Sequence, residues 1–349
     1  TAGFSGGIAF AAMTCQEYAK GILALPAWMP SQTIATVVLI LCCLIHVEAG
    51  RVAARINTTI VLLKILTLLC LIVFGYSVVG WPLEATGKPM DVPLPNATIG
   101  GFAMAVVWVM FSYTGFNEAI YVASEARVGR RTVPLALLVG TLITTFLYFA
   151  INDVFLRSAP VADLAGQSQV AAVAAAALGG ETAEWWMRFV IVLSTLSAAA
   201  GMTMAGSRVA TAMADDGLLP RWLQGQAGRS RAVVLQTSLA LILVYVSTLR
   251  DLLGALGVTL SLCSALTVGT LFLSKTQARD KPDESTQPSR FVLAAAAMYC
   301  GATLLFATLY GWHDPWQCGG ILAIFALAVV LWPCVRSSAL SHASHSQYA

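Results

Sequence analysis

The sequence of 349 residues predicts an all-α polytopic membrane protein, and three observations carry that prediction. Hydrophobic residues make up 58% of the chain and charged residues only 11%, where soluble domains carry about 25% charged residues. Mean hydropathy is +0.77, and the apolar residues fall in runs of the length a helix needs to cross a bilayer, about 20 residues. Lysine and arginine, finally, concentrate in every second connection between those runs. Outer-membrane barrels need short strands of alternating polarity; these runs are too long and too continuous for that.

Ten spans are expected in chain order, over residues 3–25, 33–50, 57–80, 99–122, 133–156, 185–213, 232–249, 251–274, 291–311 and 316–335. Pro93, Pro95 and Gly100-Gly101 punctuate the approach to the fourth, and Pro134 opens the fifth. The connection from Trp81 to Thr98 is proline-rich, and its Asn96-Ala97-Thr98 sequon is read as a chance match. The connection from Ser158 to Glu184 is expected to be a rim segment with a short helix over Ala171 to Ala177. Lys275 to Arg290 reads as a polar, mobile inner loop. The Ser/His-rich tail 337–349 reads as a disordered end rather than a metal site at His342 and His345.

Charge orients the chain. With Thr1 in the cytoplasm, fourteen of the 20 lysines and arginines fall on inner connections or the tail, among them Arg51, Arg55, Arg127, Arg130, Arg131 and Arg221. Five fall outside (Lys20, Lys88, Arg157, Arg188 and Arg250), and Lys64 is left within a span. That asymmetry obeys the positive-inside rule, so both termini are expected in the cytoplasm and the chain in the cell membrane. The eight cysteines show no CxxC spacing and read as small buried hydrophobes rather than a zinc or disulfide framework. No soluble domain and no GxxxxGK[ST] loop is legible, which disfavours an ATP-driven pump. Thr1 is not an initiator Met and no signal-type segment follows it, so the chain is expected to be a fragment of something longer.

The most informative stretch is Phe111-Ser112-Tyr113-Thr114-Gly115-Phe116-Asn117-Glu118. It lies in an apolar run, yet it is polar and carries a glycine. A helix opens in hydrocarbon only where its freed backbone groups face protein, water or ligand. If it unwinds here, the carbonyls of Phe111, Ser112 and Thr114 become acceptors for an ammonium group. Broken helices at the membrane midplane are how many secondary transporters bind substrate. Phe111 and Phe116 would close over an apolar substrate side chain, with Asn117 and Glu118 bracing the segment. The competing reading is a close-packing notch between helices.

Lys64, two turns into the third span, is an ionisable group whose insertion costs on the order of 2.5–3.5 kcal/mol. It either snorkels to the headgroups or stands beside a transport path where a sodium ion or proton would act. Ser194, Thr195 and Ser197 offer hydroxyls at helical spacing on the sixth span; bonding to their own backbone competes with use as cation or substrate ligands. Glu17 and Lys20 share a face at i, i+3 and are expected to pair. Asp153 is expected to act as an interfacial cap rather than a proton relay.

These residues carry a family resemblance. Phe111 to Asn117, with Tyr121-Val122-Ala123-Ser124-Glu125, resembles the sixth span of the amino acid–polyamine–organocation superfamily, in particular its bacterial permeases related to the L-type transporters. Glu125 through Arg130-Arg131-Thr132-Val133-Pro134 is similar to that family's inner loop, with Val128-Gly129 where Asn-Pro is usual. Ala205-Gly206-Ser207-Arg208 through Asp216-Gly217-Leu218-Leu219-Pro220 resembles the segment after its eighth span, with Asp215 where a basic residue is usual.

The resemblance implies a leucine-transporter-type inverted-repeat fold, incomplete here, whose ten spans are the family's third to twelfth. Residues 1–80 would be the remainder of the first repeat, 99–274 the second repeat and 291–335 two C-terminal helices. The substrate-binding residues are then Phe111, Ser112, Tyr113, Thr114, Gly115, Phe116 and Asn117, forming the ammonium half of the site, with Phe111 as gate. The carboxylate half would belong to the family's first span, which is expected to precede Thr1. Lys64 matches a lysine that stands in for the cation in proton-coupled relatives; Ser194 and Ser197, from their own spacing, are the candidates expected to join it in a coupling site.

The expected function is secondary active transport of amino acids, proton-coupled or by exchange. The expected partners are an amino acid, protons and the lipid bilayer, without nucleic acid, cofactor or metal. A polyamine substrate is one alternative, and a transport-incompetent scaffold or partner-binding protein another. An intramembrane enzyme is disfavoured, since no His-rich cluster, paired midspan aspartates or Gly-x-Ser-x-Gly run is present.

Overall fold

The computed structural model describes residues 2–23, 26, 28–48, 50–80, 98–115, 132–277, 289–323, 325–326 and 329–330. The described residues contain helices and no strands: α1 (Ala2–Ala19), α2 (Thr33–Glu48), α3 (Gly50–Val79), α4 (Ile99–Ser112), α5 (Thr132–Ser158), α6 (Val161–Leu164), α7 (Val170–Asp215), α8 (Gly225–Val246), α9 (Leu249–Gln277) and α10 (Arg290–His313). Residues 315–323 form a further helical segment. Among the described residues, six helices are long and apolar enough to span a bilayer, on α3, α5, α7, α8, α9 and α10; Thr33–His46 and Ile99–Ser112 are apolar but shorter. The chain is an all-α polytopic membrane protein.

Helix starts follow from the caps. The Thr98 hydroxyl accepts from the Gly101 amide at 3.1 Å, and the Ser289 hydroxyl accepts from Val292 at 3.3 Å. At the segment that follows α10, an Asp314 carboxylate oxygen accepts from the Gln317 amide at 3.3 Å, with Pro315 at the first helical position.

The expected rim segment 158–184 is instead largely helical. The alanine run is a helix, as anticipated, but it continues into the following span as α7, interrupted at Gly179 and Gly180. Gly180 has φ +66° there, a conformation that side chains with a Cβ resist. A Cβ on Gly179 would lie 3.4 Å from the Phe74 ring and 2.8 Å from the Ala183 methyl.

The chain forms two compact units. In the first, α1 and α7 run antiparallel: Gly7 faces Met202, the Cys15 thiol points at the Val192 carbonyl, and Gln169 donates to the Glu17 carbonyl. Small residues make the close approach possible, with Ala9, Ala12, Ala199, Thr203 and Gly206 buried along the seam. Helices α2 and α8 complete this group. Gln16 on α1 accepts from the Ala35 amide in the first turn of α2 at 3.2 Å, and Thr36 meets the Tyr245 hydroxyl of α8 at 3.1 Å. A second cluster joins α3 and α5 to the start of α7 through Ile72, Tyr76, Ala150, Val154 and Leu178. Elsewhere α5 is open, with Leu138, Leu142, Phe146 and Phe149 exposed, as a helix facing acyl chains is.

The second unit holds α4, α9, α10 and the helical segment after it, packed around Val107, Val258, Tyr310 and Ile321. Gly257 lets α9 approach α4 closely, since a Cβ there would meet the Val107 carbonyl oxygen at 2.9 Å.

Candidate functional site

Helix α4 stops inside the stretch that sequence singled out. Its last helical residue is Ser112, and Tyr113 to Gly115 form a turn. The Ser112 hydroxyl bonds back to the Trp108 carbonyl at 3.2 Å, and the Tyr113 amide donates to the Met110 carbonyl at 3.1 Å. Gly115 has φ +110°, and a Cβ built there would meet nothing within 4 Å among the described residues. Its glycine is therefore a requirement of backbone conformation.

One detail departs from the sequence expectation. The Phe111 carbonyl is not a free acceptor. It receives the Thr114 amide at 3.0 Å and the Thr114 hydroxyl at 2.7 Å. A helix that ends without a glycine at its cap satisfies its last carbonyls by such a tightened turn, and the threonine side chain adds the second bond. Phe111, Tyr113 and Thr114 are half-buried, while Ser112 and Gly115 are exposed. Phe116, Asn117 and Glu118, the motif from Tyr121 to Glu125 and the inner-loop motif up to Arg131 lie outside the described residues.

Trp108, one turn before the break, was not singled out in sequence. Its indole N–H is buried without a hydrogen-bond acceptor among the described residues, and the Arg250 guanidinium lies 5.5 Å from the ring centroid, within cation–π range. A tryptophan one turn ahead of a helix-breaking Ser-Tyr-Thr-Gly run was the available signal.

The other expected site residues lie in the first unit. Lys64 stands on α3 with its side chain exposed, and it has no ion pair or hydrogen bond among the described residues. Ser194 is half-buried and Ser197 buried on α7. The Thr195 hydroxyl between them turns back to the Ile191 carbonyl at 2.8 Å. No hydrogen bond joins Lys64 to either serine among the described residues.

One expected pairing is present, and Asp153 makes a second that was not anticipated. Lys20 donates to Glu17 at 2.8 Å. Asp153 accepts from Arg157 at 3.1 Å and from the Tyr76 hydroxyl at 3.1 Å, so it ties α5 to α3. Arg188 adds a clamp that sequence did not suggest. It donates to Glu184 and to Gln169, and a Cβ on Gly21 would collide with its guanidinium.

A chain of apolar helices, one of them ending at a polar turn, defines a polytopic membrane protein. The chain belongs to the amino acid permease family, whose profile matches residues 1–344. It is 24% identical over 283 residues to the branched-chain amino acid permease BcaP of Lactococcus lactis, covering 78% of this chain and 60% of that protein. It is 25% identical over 304 residues to the large neutral amino acids transporter small subunit 2 of Oryctolagus cuniculus, covering 85% and 56%. A vacuolar cationic amino acid transporter 4 of Arabidopsis thaliana is 26% identical over 211 residues, covering 58% and 32%. The chain thus spans about 60% or less of the length of these curated relatives.

Proposed function

We propose that the protein takes part in secondary transport of amino acids, with the turn at Phe111 to Gly115 as the ammonium-binding part of the substrate site. The observation that carries this reading is the end of α4 at Ser112, within an otherwise apolar run, in a chain of the amino acid permease family. The substrate ammonium would compete with the Thr114 hydroxyl for the Phe111 carbonyl. Phe111 and Phe116 would enclose the side chain, with Ser112 and Tyr113 lining the turn and Asn117 bracing it. Names of two relatives, for branched-chain and for large neutral amino acids, favour an apolar neutral substrate over a polyamine.

The fold we infer is the inverted repeat, with residues 99–274 as the second repeat and both termini cytoplasmic in the cell membrane. The antiparallel α1–α7 seam with α2 and α8 would serve as the scaffold against which the substrate-binding helices rock. Lys64, with Ser194 and Ser197, would couple movement to protons. Leucine uptake into proteoliposomes containing this chain, under an imposed proton gradient, tests the reading. Saturable, gradient-dependent uptake supports it; lipid-embedded protein that neither binds nor moves leucine favours the scaffold alternative. Lys64→Ala should abolish gradient-driven accumulation and leave leucine binding in place. Unchanged accumulation would remove the coupling role.

A further inference from the structure

Gln236 on α8 is completely buried, at 0% exposure, and neither its Oε1 nor its Nε2 has a hydrogen-bond partner among the described residues. Exchanging the two amide atoms changes nothing, because both ends are unmatched. The amide sits at the junction of three helices. A Cβ on Gly206 of α7 would come within 2.6 Å of Gln236 Oε1 and 2.7 Å of Phe4 Cγ on α1. Ser5, the next residue of α1, is 1% exposed, and its hydroxyl also lacks a partner among the described residues.

The neighbouring hydroxyls behave differently. Thr203, Ser207 and Thr211 each donate to a carbonyl of their own helix, at 2.7, 2.9 and 2.9 Å. That solution suits a short hydroxyl side chain. It does not serve both ends of the longer amide of Gln236.

A buried amide left open at both ends bears the full desolvation penalty of a donor and an acceptor, and native interiors rarely leave either unmatched. The occupant of this junction must therefore donate to Oε1 and accept from Nε2. A metal ion or ammonium group meets only the first requirement, and an anion only the second. Water meets both, and buried water is the usual partner of such groups. We propose that an ordered water site lies at the α1–α7–α8 junction and holds the Gln236 side chain. The site is independent of any substrate at the end of α4.

Two substitutions at one position test this in the purified chain. Gln236→Met keeps the volume and removes both polar atoms; Gln236→Glu, kept protonated in mildly acidic buffer, retains one donor and one acceptor. A water-held amide predicts that the thermal midpoint falls by several degrees for Met and much less for protonated Glu. A dry, unmatched amide predicts the reverse order, with Met at or above the parent, and that result overturns the proposal. If either variant does not fold, an experimental map of the parent protein decides. Solvent density within hydrogen-bond distance of the Gln236 amide supports the site, and its absence in a well-ordered map refutes it.

Discussion

Glycine does opposite work in two regions of this molecule. Along the α1–α7 seam it is a matter of space. A Cβ on Gly7 would come within 2.9 Å of Met202, and one on Gly206 would meet Gln236 and Phe4. At the end of α4 it is a matter of backbone, since Gly115 adopts φ +110°. The first region has close neighbours and ordinary dihedrals; the second has an unusual dihedral and, among the described residues, nothing near the Cβ position. Dense packing of small residues resists deformation, which suits a scaffold. A turn held by local hydrogen bonds and one permissive residue can be rearranged by a ligand that competes for those bonds.

The contrast breaks most sharply at Gly206. Gly206→Val forces side chains into occupied space and should destabilise by about 2–3 kcal/mol, read as a thermal midpoint lowered by several degrees or as failure to fold. A wild-type midpoint would mean that the seam has slack. Gly115→Val should lower the midpoint less than Gly206→Val and act on the proposed function as well. The conformational penalty, about 1–2 kcal/mol, predicts leucine binding weakened roughly tenfold. Binding at parental strength would separate the turn from the substrate site.

Smaller effects sharpen the same comparison. Thr114→Val removes the hydroxyl that occupies the Phe111 carbonyl and keeps the side-chain volume. A net hydrogen bond is worth about 0.5–1.5 kcal/mol, so leucine binding should tighten roughly two- to tenfold, as isothermal titration would show. Weaker binding would mean that the hydroxyl itself contacts the ligand. The smallest effect is expected for Asp153→Asn, because the Asp153–Arg157 pair is partly exposed. A loss of about 0.5–1 kcal/mol should appear as a slight drop in thermal midpoint, with leucine affinity unchanged.

Much of the architecture was legible as pattern. Apolar runs give a helix in lipid because every backbone group must be satisfied within the segment, so spans announce themselves without reference to partners. The stop in α4 was legible for the same reason: Ser112, Tyr113, Thr114 and Gly115 interrupt a run that would otherwise stay helical. The continuity of α7 was not. The Gly179-Gly180 pair reads as a loop, yet it joins two helical limbs, because a helix break and a loop look alike until the flanking helices have packed. The Glu17–Lys20 pair was visible as local spacing, whereas Arg188 with Gln169 and Gly21 brings together residues far apart in the chain.

By itself, then, the sequence determined that this chain lies in a membrane as helices and where one of them must stop. Those are consequences of hydropathy and of helix propensity, both properties of neighbouring residues. Tertiary structure alone decided that Gly206 makes room for Gln236 and Phe4, and that the Gln236 amide is buried with both ends unmatched among the described residues. Both depend on where a side chain comes to rest once the helices have met, and local sequence carries no record of that.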